Sequence, residues 1–162
     1  MTAYLSLGSN LGDRRANFMR ALAELEKAGV VVKRVSSIYE TEPVGPMEQG
    51  AEQGWFLNCA VEIGTDLEPL PLVRLLLGIE HMLGRERNNP GGPRTLDMDI
   101  LFYEDRVMDT AELALPHPRM AGRRFVLQPM AEIAPDVRHP ITQRTVREML
   151  GMLKDQSQVR VL

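Results

Sequence analysis

An α+β domain, an antiparallel sheet with helices packed on one face, is what this sequence predicts, and three observations predict it. Short stretches alternate apolar and polar residues with the period of a strand, as in 55–63, where Leu57, Cys59, Val61 and Ile63 share one face. Phe56, Asn58, Ala60 and Glu62 share the other. Two longer stretches repeat apolar residues at the spacing of one helix face. The elements follow one another as strand, helix, strand, strand, helix, strand, the split β-α-β order of ferredoxin-like folds. In that layout the helices cover one face of the sheet and leave the other free for a ligand.

Leu5 and Leu7 end a short first strand, which runs into a turn from Gly8 to Asp13, with Asp13 placed to cap a helix. Phe18, Ala21, Leu22 and Leu25 fall at i, i+3, i+4 and i+7, and Gly29 sits where a C-terminal cap belongs, so a helix covers about 14–28. Val30 to Tyr39 is rich in β-branched residues and reads as a second strand, stopped by Pro43 and Pro46. A polar loop follows, and then the third strand at 55–63. A second helix covers about 69–83, with Leu72, Val73, Leu76, Ile79 and Leu83 as its buried stripe and Gly84 at its end. The glycine and proline content of 85–94 predicts a mobile loop. A fourth strand follows at once, with Leu96, Met98, Ile100 and Phe102 on one face. Residues 108–119 read as irregular chain, 125–132 as a short helix, and Val146, Met149, Leu150 and Leu153 as the apolar side of a last helix. No repeat or low-complexity tract divides the chain, and 1–162 reads as one domain.

A hydrophobic fraction of 44% with 25% charged residues fits a folded globular domain and excludes disorder. The first residues are neither basic nor apolar enough for a signal peptide, and no apolar run approaches the ~18 residues of a membrane span. A cytoplasmic location is the expectation. The single cysteine, Cys59, excludes an internal disulfide and a cysteine zinc cluster, and its place among strand residues reads as a small core side chain. A net charge of -3 argues against a general nucleic-acid binder. Small-molecule partners, with neither nucleic acid nor membrane, and a monomeric state are expected.

The chemistry gathers around the fourth strand. Asp97 and Asp99 share one face, about 6.6 Å apart, where they could bracket a pair of Mg²⁺ ions that also hold substrate phosphates. The same pair also reads as two solvated acids on a half-exposed strand. Arg85, Arg87 and Arg94 precede the pair, with Glu86 the only acid from 85 to 94, and Arg119, Arg123 and Arg124 follow it. The planar, permanently charged guanidinium suits phosphate. On the predicted layout Phe56 and Asn58 project from the same uncovered face as the two aspartates. With Phe125 they could hold a flat heterocycle between two rings while the amide reads its edge. Phe56 alone would read as core; an amide in so apolar a strand needs its hydrogen bonds satisfied. His117, held between Pro116 and Pro118, could aim an imidazole at a phosphate or be an idle loop residue, while His81 and His139 read as structural or solvated.

The blocks Leu7-Gly8-Ser9-Asn10-Leu11-Gly12-Asp13, Tyr39-Glu40-Thr41-Glu42-Pro43-Val44-Gly45, Phe56-Leu57-Asn58, Gly92-Pro93-Arg94-Thr95-Leu96-Asp97-Met98-Asp99-Ile100-Leu101 and Leu115-Pro116-His117-Pro118-Arg119, then Arg123, Phe125, Val126, Leu127 and Pro129, resemble the 6-hydroxymethyl-7,8-dihydropterin pyrophosphokinase family in order and spacing. The resemblance implies a ferredoxin-like fold and transfer of pyrophosphate from ATP to the hydroxymethyl group of a reduced pterin, releasing AMP, in folate biosynthesis. By the same carry-over Asp97 and Asp99 ligate two Mg²⁺, and Arg85 and Arg94 act with them by clamping the phosphates. Glu80, Arg87, Ile100, His117 and Arg123 would complete the ATP contacts. Phe56 and Phe125 would sandwich the pterin, with Asn58 and the stretch Thr41, Glu42, Pro43, Val44 and Gly45 reading its edge.

The sequence departs from the family pattern before Gly92, where Pro90 and Gly91 stand in place of a basic and an aromatic residue. Glu112 and Ala114 likewise replace residues that in some members are basic and hydroxylated. Two rival readings use the same fold or the same acids: an RNA-binding module with an open sheet face, and a two-metal phosphodiesterase. Few aromatics and two carboxylates on that face weigh against the first. If the departures weaken lid closure or nucleotide affinity, Pro90→Arg combined with Gly91→Trp tightens nucleotide binding or speeds closure in steady-state and pre-steady-state kinetics. Unchanged binding and rates would discard the idea.

Overall fold

The computed structural model describes residues 1–10, 12–42, 55–84, 95–155 and 157–162. The sequence readings that concern Pro43, Val44, Gly45, Arg85, Arg87, Pro90, Gly91 and Arg94, with the loop expected at 85–94, lie outside the described residues. Apolar alternation makes β1 (Thr2–Ser9) the strand on which the sheet is built, because Leu5 and Leu7 are fully buried and both neighbours pair with it. On one side it runs antiparallel to β4 (Phe56–Gly64), and on the other antiparallel to β5 (Asp97–Tyr103). Beyond β4 lie β2 (Val31–Val35) and β3 (Tyr39–Thr41), and β8 (Val159–Val161) pairs with β3. The resulting order β5-β1-β4-β3-β8, with β2 also on β4, is the antiparallel ferredoxin-like sheet that the element order predicts.

The helices α1 (Arg14–Lys27) and α2 (Pro69–Met82) cover one face. Phe18, Ala21 and Leu25 of α1 and Leu72, Leu76 and Ile79 of α2 pack on Leu5, Leu7, Leu57, Cys59, Val61, Ile63, Met98 and Ile100. Each leucine so buried contributes about 2 kcal/mol. Asp13 caps α1 as the sequence predicts, its carboxylate accepting from Ala16 N at 3.1 Å. Gly29, with a φ of 87°, ends the helix in a conformation that other residues rarely adopt.

Three features differ from the sequence reading. The predicted strand 30–39 divides into β2 and β3 because five residues, Val35 to Tyr39, span four on β4, Val61 to Asn58. Ser36 fills the gap, its hydroxyl accepting from Ala60 N at 2.9 Å. In β5 a bulge sets Ile100 opposite Leu5 and Phe102 opposite Tyr4, leaving Leu101 as an extra residue. Phe102 therefore leaves the face of Met98 and Ile100, where alternation places it, and meets Tyr4 edge to face with centroids 6.4 Å apart. The face predicted to be free is also roofed at one end. Here α3 (Arg124–Ile133) and α4 (Val146–Gly151) bury Val126, Leu127, Met130, Val146 and Met149 against Ala60, Leu101 and Phe102. The segment expected to be irregular includes a small hairpin, β6 (Met108–Asp109) with β7 (Ala114–Leu115).

Two side chains tie the layers together. Tyr39 of β3 donates to Glu132 of α3 at 2.6 Å, and Ser37 N donates to the same carboxylate at 2.7 Å. Burial, together with that carboxylate, pushes the Tyr39 phenol up to about 12. Burial alone would raise Glu132, but the hydrogen bonds from Tyr39 and Ser37 hold it below the usual carboxylate range. On the other face Glu80 of α2, only 1% exposed, accepts from Met98 N at 2.8 Å and so anchors the start of β5. Replacing it with alanine strands that N–H in the interior, and Glu80→Ala should cost about 1–3 kcal/mol of stability. Glu80→Gln keeps an acceptor and recovers most of it. Urea unfolding decides, and an Glu80→Ala protein as stable as the parent would overturn the assignment.

Candidate active site

The site is assembled by strand register. Across three adjacent strands Asn58 of β4 lies opposite Gly8 of β1, and Gly8 lies opposite Asp97 of β5. One step along the face, Ser6 stands between Ala60 and Asp99, while Tyr39 and Thr41 of β3 pair with Asn58 and Phe56. Directly paired residues share a face, so the amide, the rings and both carboxylates emerge together at the end that α3 leaves open. With strands ~4.8 Å apart, the amide and the first carboxylate start about 10 Å from one another. That is the length of a small heterocycle plus a reactive arm.

Gly8 permits this arrangement. A Cβ added there would meet Asn58 Oδ1 at 2.9 Å, closer than real side chains come. Asn58 is 3% exposed and donates through Nδ2 to Thr41 Oγ1 at 2.6 Å, with Thr41 itself 2% exposed. The demand that a buried amide be satisfied is thereby met, and its orientation is fixed.

The cavity over this face is walled by Leu101, His117, Arg123, Phe125 and Val126 and floored by Ser6, Gly8, Thr41, Phe56, Asn58, Asp97 and Asp99, with Glu42 at its rim. Phe56 from β4 and Phe125 from α3 enter it from different elements. The Arg123 guanidinium lies 5.5 Å from the centroid of the Phe125 ring. His117 donates its backbone N–H to Leu101 O at 3.0 Å, and its Nδ1 accepts from Arg119 N at 3.1 Å. This assigns the proton of the neutral ring to Nε2. Burial lowers the His117 pKa, the charges of Arg123 and Arg119 lower it further, and Asp97 opposes them.

Of the residues singled out from sequence, Thr41, Glu42, Phe56, Asn58, Asp97, Asp99, His117, Arg123 and Phe125 all line this one cavity. Glu80 and Ile100 do not. Ile100 is 2% exposed in the core under α1 and α2, and the Glu80 carboxylate holds Met98 on that same side. Both side chains support β5 from the helix side of the sheet. Ser6, Gly8, Leu101 and Val126 line the cavity without having been singled out. Ser6, Gly8 and Leu101 were within reach, since alternation puts the first two opposite Leu5 and Leu7 and the third on the face of Asp97 and Asp99.

Among the described residues no group of three or more His, Cys, Asp and Glu is placed to hold a metal. A carboxylate pair beside a cavity fits Mg²⁺, which commonly takes one or two carboxylates and completes its shell with phosphates and water.

An amide, two aromatic rings and two carboxylates gathered in one cavity on a sheet face are groups suited to a kinase that brings a nucleotide to a flat heterocycle. The model of the family 7,8-dihydro-6-hydroxymethylpterin-pyrophosphokinase (HPPK) matches residues 4–135, and the chain belongs to that family. It is 46% identical to the 2-amino-4-hydroxy-6-hydroxymethyldihydropteridine pyrophosphokinase of Bacillus subtilis over 98% of this chain and 89% of that one. The enzyme of the same name from Methylorubrum extorquens is 45% identical over 93% and 92%. The folic acid synthesis protein fol1 of Schizosaccharomyces pombe is 40% identical, and the match spans 21% of its length. In fold, the chain is similar to a Plasmodium falciparum HPPK-DHPS crystal structure, with a TM-score of 0.72 at 14% identity, covering 93% of this chain and 45% of that one.

The close approach at Gly8 generates a prediction. Gly8→Ala should turn Asn58 away from Thr41 and weaken pterin binding about tenfold or more, with a much smaller effect on an ATP analogue. Calorimetric titration of the two ligands checks it, and equal losses for both would refute the special role of Asn58.

Proposed function

We propose that this cavity carries out the transfer of pyrophosphate from ATP to the hydroxymethyl group of 6-hydroxymethyl-7,8-dihydropterin, with AMP as the leaving group, and that its two ends divide the substrates. The chain is a pyrophosphokinase of folate biosynthesis by family and by its relatives. What carries the division is the row Asn58, Gly8, Asp97, which sets a heterocycle-reading amide and an anion-handling carboxylate at opposite ends of one face. The pterin lies between Phe56 and Phe125, its edge read by Asn58, Thr41 and Glu42 together with Pro43, Val44 and Gly45. ATP lies over Asp97 and Asp99, where His117 Nε2–H, Arg123 and the arginines Arg85, Arg87 and Arg94 meet its phosphates.

In the reaction the pterin hydroxymethyl oxygen attacks the β-phosphorus, the bond from that phosphorus to the oxygen bridging to the α-phosphate breaks, and AMP departs. The hydroxyl proton passes to solvent water, one for each AMP formed. Asp97 and Asp99 would hold two Mg²⁺, which supply charge neutralisation on the phosphates. The chain's own part is to align the two reactants, donate hydrogen bonds to growing negative charge and keep water out. Arg85 and Arg94 clamp the transferred group, a role that falls to arginine because its fork grips two phosphate oxygens. Neither an RNA-binding module nor a phosphodiesterase finds support in the family or the relatives. A cytoplasmic location and a monomeric state belong to the same proposal.

Asp97 and Asp99 sit on a partly exposed face and not in the core. Asp97→Ala and Asp99→Ala should each lower pterin-dependent AMP formation by about 10³-fold or more while the thermal unfolding midpoint stays near that of the parent. Chelating divalent metal should stop turnover and added Mg²⁺ restore it. A folded Asp97→Ala protein with full activity would sink the assignment.

A further inference from the structure

We propose that the C-terminal segment, Asp155 with 157–162, positions the two aromatic walls of the pterin end, and that Arg160 and Asp155 are positioning residues for pterin binding. The inference rests on the placement of the pterin between Phe56 and Phe125. It concerns a stretch of chain beyond the residues 4–135 matched by the family model.

Phe56 and Phe125 come from elements far apart in sequence, so the width of the slot between them depends on what ties β4 and β3 to the start of α3. The C-terminal segment touches all three. β8 pairs with β3, setting Val161 opposite Tyr39 and Val159 opposite Thr41. Just before it, Gln158 N donates to Glu42 Oε1 at 2.7 Å and Glu42 N donates to Gln158 O at 3.3 Å, so a residue of the cavity rim is held by main chain from the tail. Arg160 lies over the Trp55 ring, 4.6 Å from its centroid, and Trp55 immediately precedes Phe56. Arg14 donates to Trp55 O at 2.8 Å and holds the same residue from α1.

At the other wall α3 starts without a side-chain cap of its own. Asp155 supplies the missing acceptor: its Oδ2 takes Arg124 N at 3.0 Å and its Oδ1 takes Ser157 N at 2.8 Å. Arg124 opens the turn that carries Phe125 and Val126 into the cavity. The segment thus runs from the cap of one wall to the stack against the other. Neither Asp155 nor Arg160 lines the cavity, so both act through their neighbours.

Trp55 is the chain's only tryptophan, so its emission reports the stack directly. Arg160→Ala should shift that emission and weaken the pterin Kd about threefold to fivefold, leaving the Kd of a non-hydrolysable ATP analogue unchanged. Arg160→Lys keeps a cation over the ring and should restore most of the pterin affinity. Glu40→Gln removes the ion pair of Arg160 with Glu40 at 3.3 Å but not the stack, and should leave pterin binding as it is. Asp155→Ala should weaken pterin binding by a similar factor, and Asp155→Asn less, since an amide oxygen still caps. A shifted emission with unchanged pterin Kd would overturn the proposal, as would parallel losses for pterin and the ATP analogue. If Arg160→Ala does not fold, Asp155→Ala carries the same comparison of pterin against the ATP analogue. Normal pterin binding by Phe56→Ala and Phe125→Ala would instead refute the placement of the pterin, independently of the tail.

Discussion

The register that sets Gly8 between Asn58 and Asp97 is the constraint on which the cavity depends. A sheet fixes distance more rigidly than a loop can, because each row of paired residues is spaced by backbone hydrogen bonds and each strand turns the same side chains to the same face. Slipping β1 by one residue would turn Gly8 toward the helices and Leu7 into the cavity. Such a slip is strongly opposed, since Leu5 and Leu7 are among the fully buried residues of the core. The packing of α1 and α2 on one face thus holds the geometry of the other.

The bulge at Leu101 and the roof of α3 and α4 convert this open face into a cavity. Without the bulge, Phe102 would stay beside Met98 and Ile100, and α3 would lose it as a partner next to Leu101 and Ala60. With it, Phe102 and Leu101 join Val126, Leu127 and Met130 in a second core. That core draws the start of α3, and with it Phe125, to the edge of the site. The Tyr39 and Ser37 hydrogen bonds to Glu132 fasten the far end of the same helix to the sheet. The wall that carries one aromatic ring is therefore part of the folded body of the protein.

Period and spacing made much of this legible in the sequence. The two-residue alternation of 55–63 placed Phe56 and Asn58 away from the core, and the same rule placed Asp97 and Asp99 beside them. The helical stripes at Phe18 to Leu25 and Leu72 to Leu83 identified the covered face. Alternation failed where the chain adds a residue, at Ser36 and at Leu101, because a bulge leaves no mark in the apolar pattern. It also said nothing of β8, whose Val159, Arg160 and Val161 form an edge strand too short to show a period. Alternation also placed Ile100 on the helix-covered face, whereas the bond from Met98 N to the Glu80 carboxylate could be seen only in three dimensions.

Charge sets the final condition on the site. Two carboxylates on one strand face repel each other and any polyphosphate, so a nucleotide can settle over Asp97 and Asp99 only if cations offset both. The described cavity contributes Arg123, with Arg119 close enough to act on His117. Burial, and then those two charges, lower the His117 pKa and so disfavour a further positive charge there, while Asp97 opposes them. The ring needs no movement to offer its other nitrogen to the cavity, since its Nδ1 is held by Arg119 N.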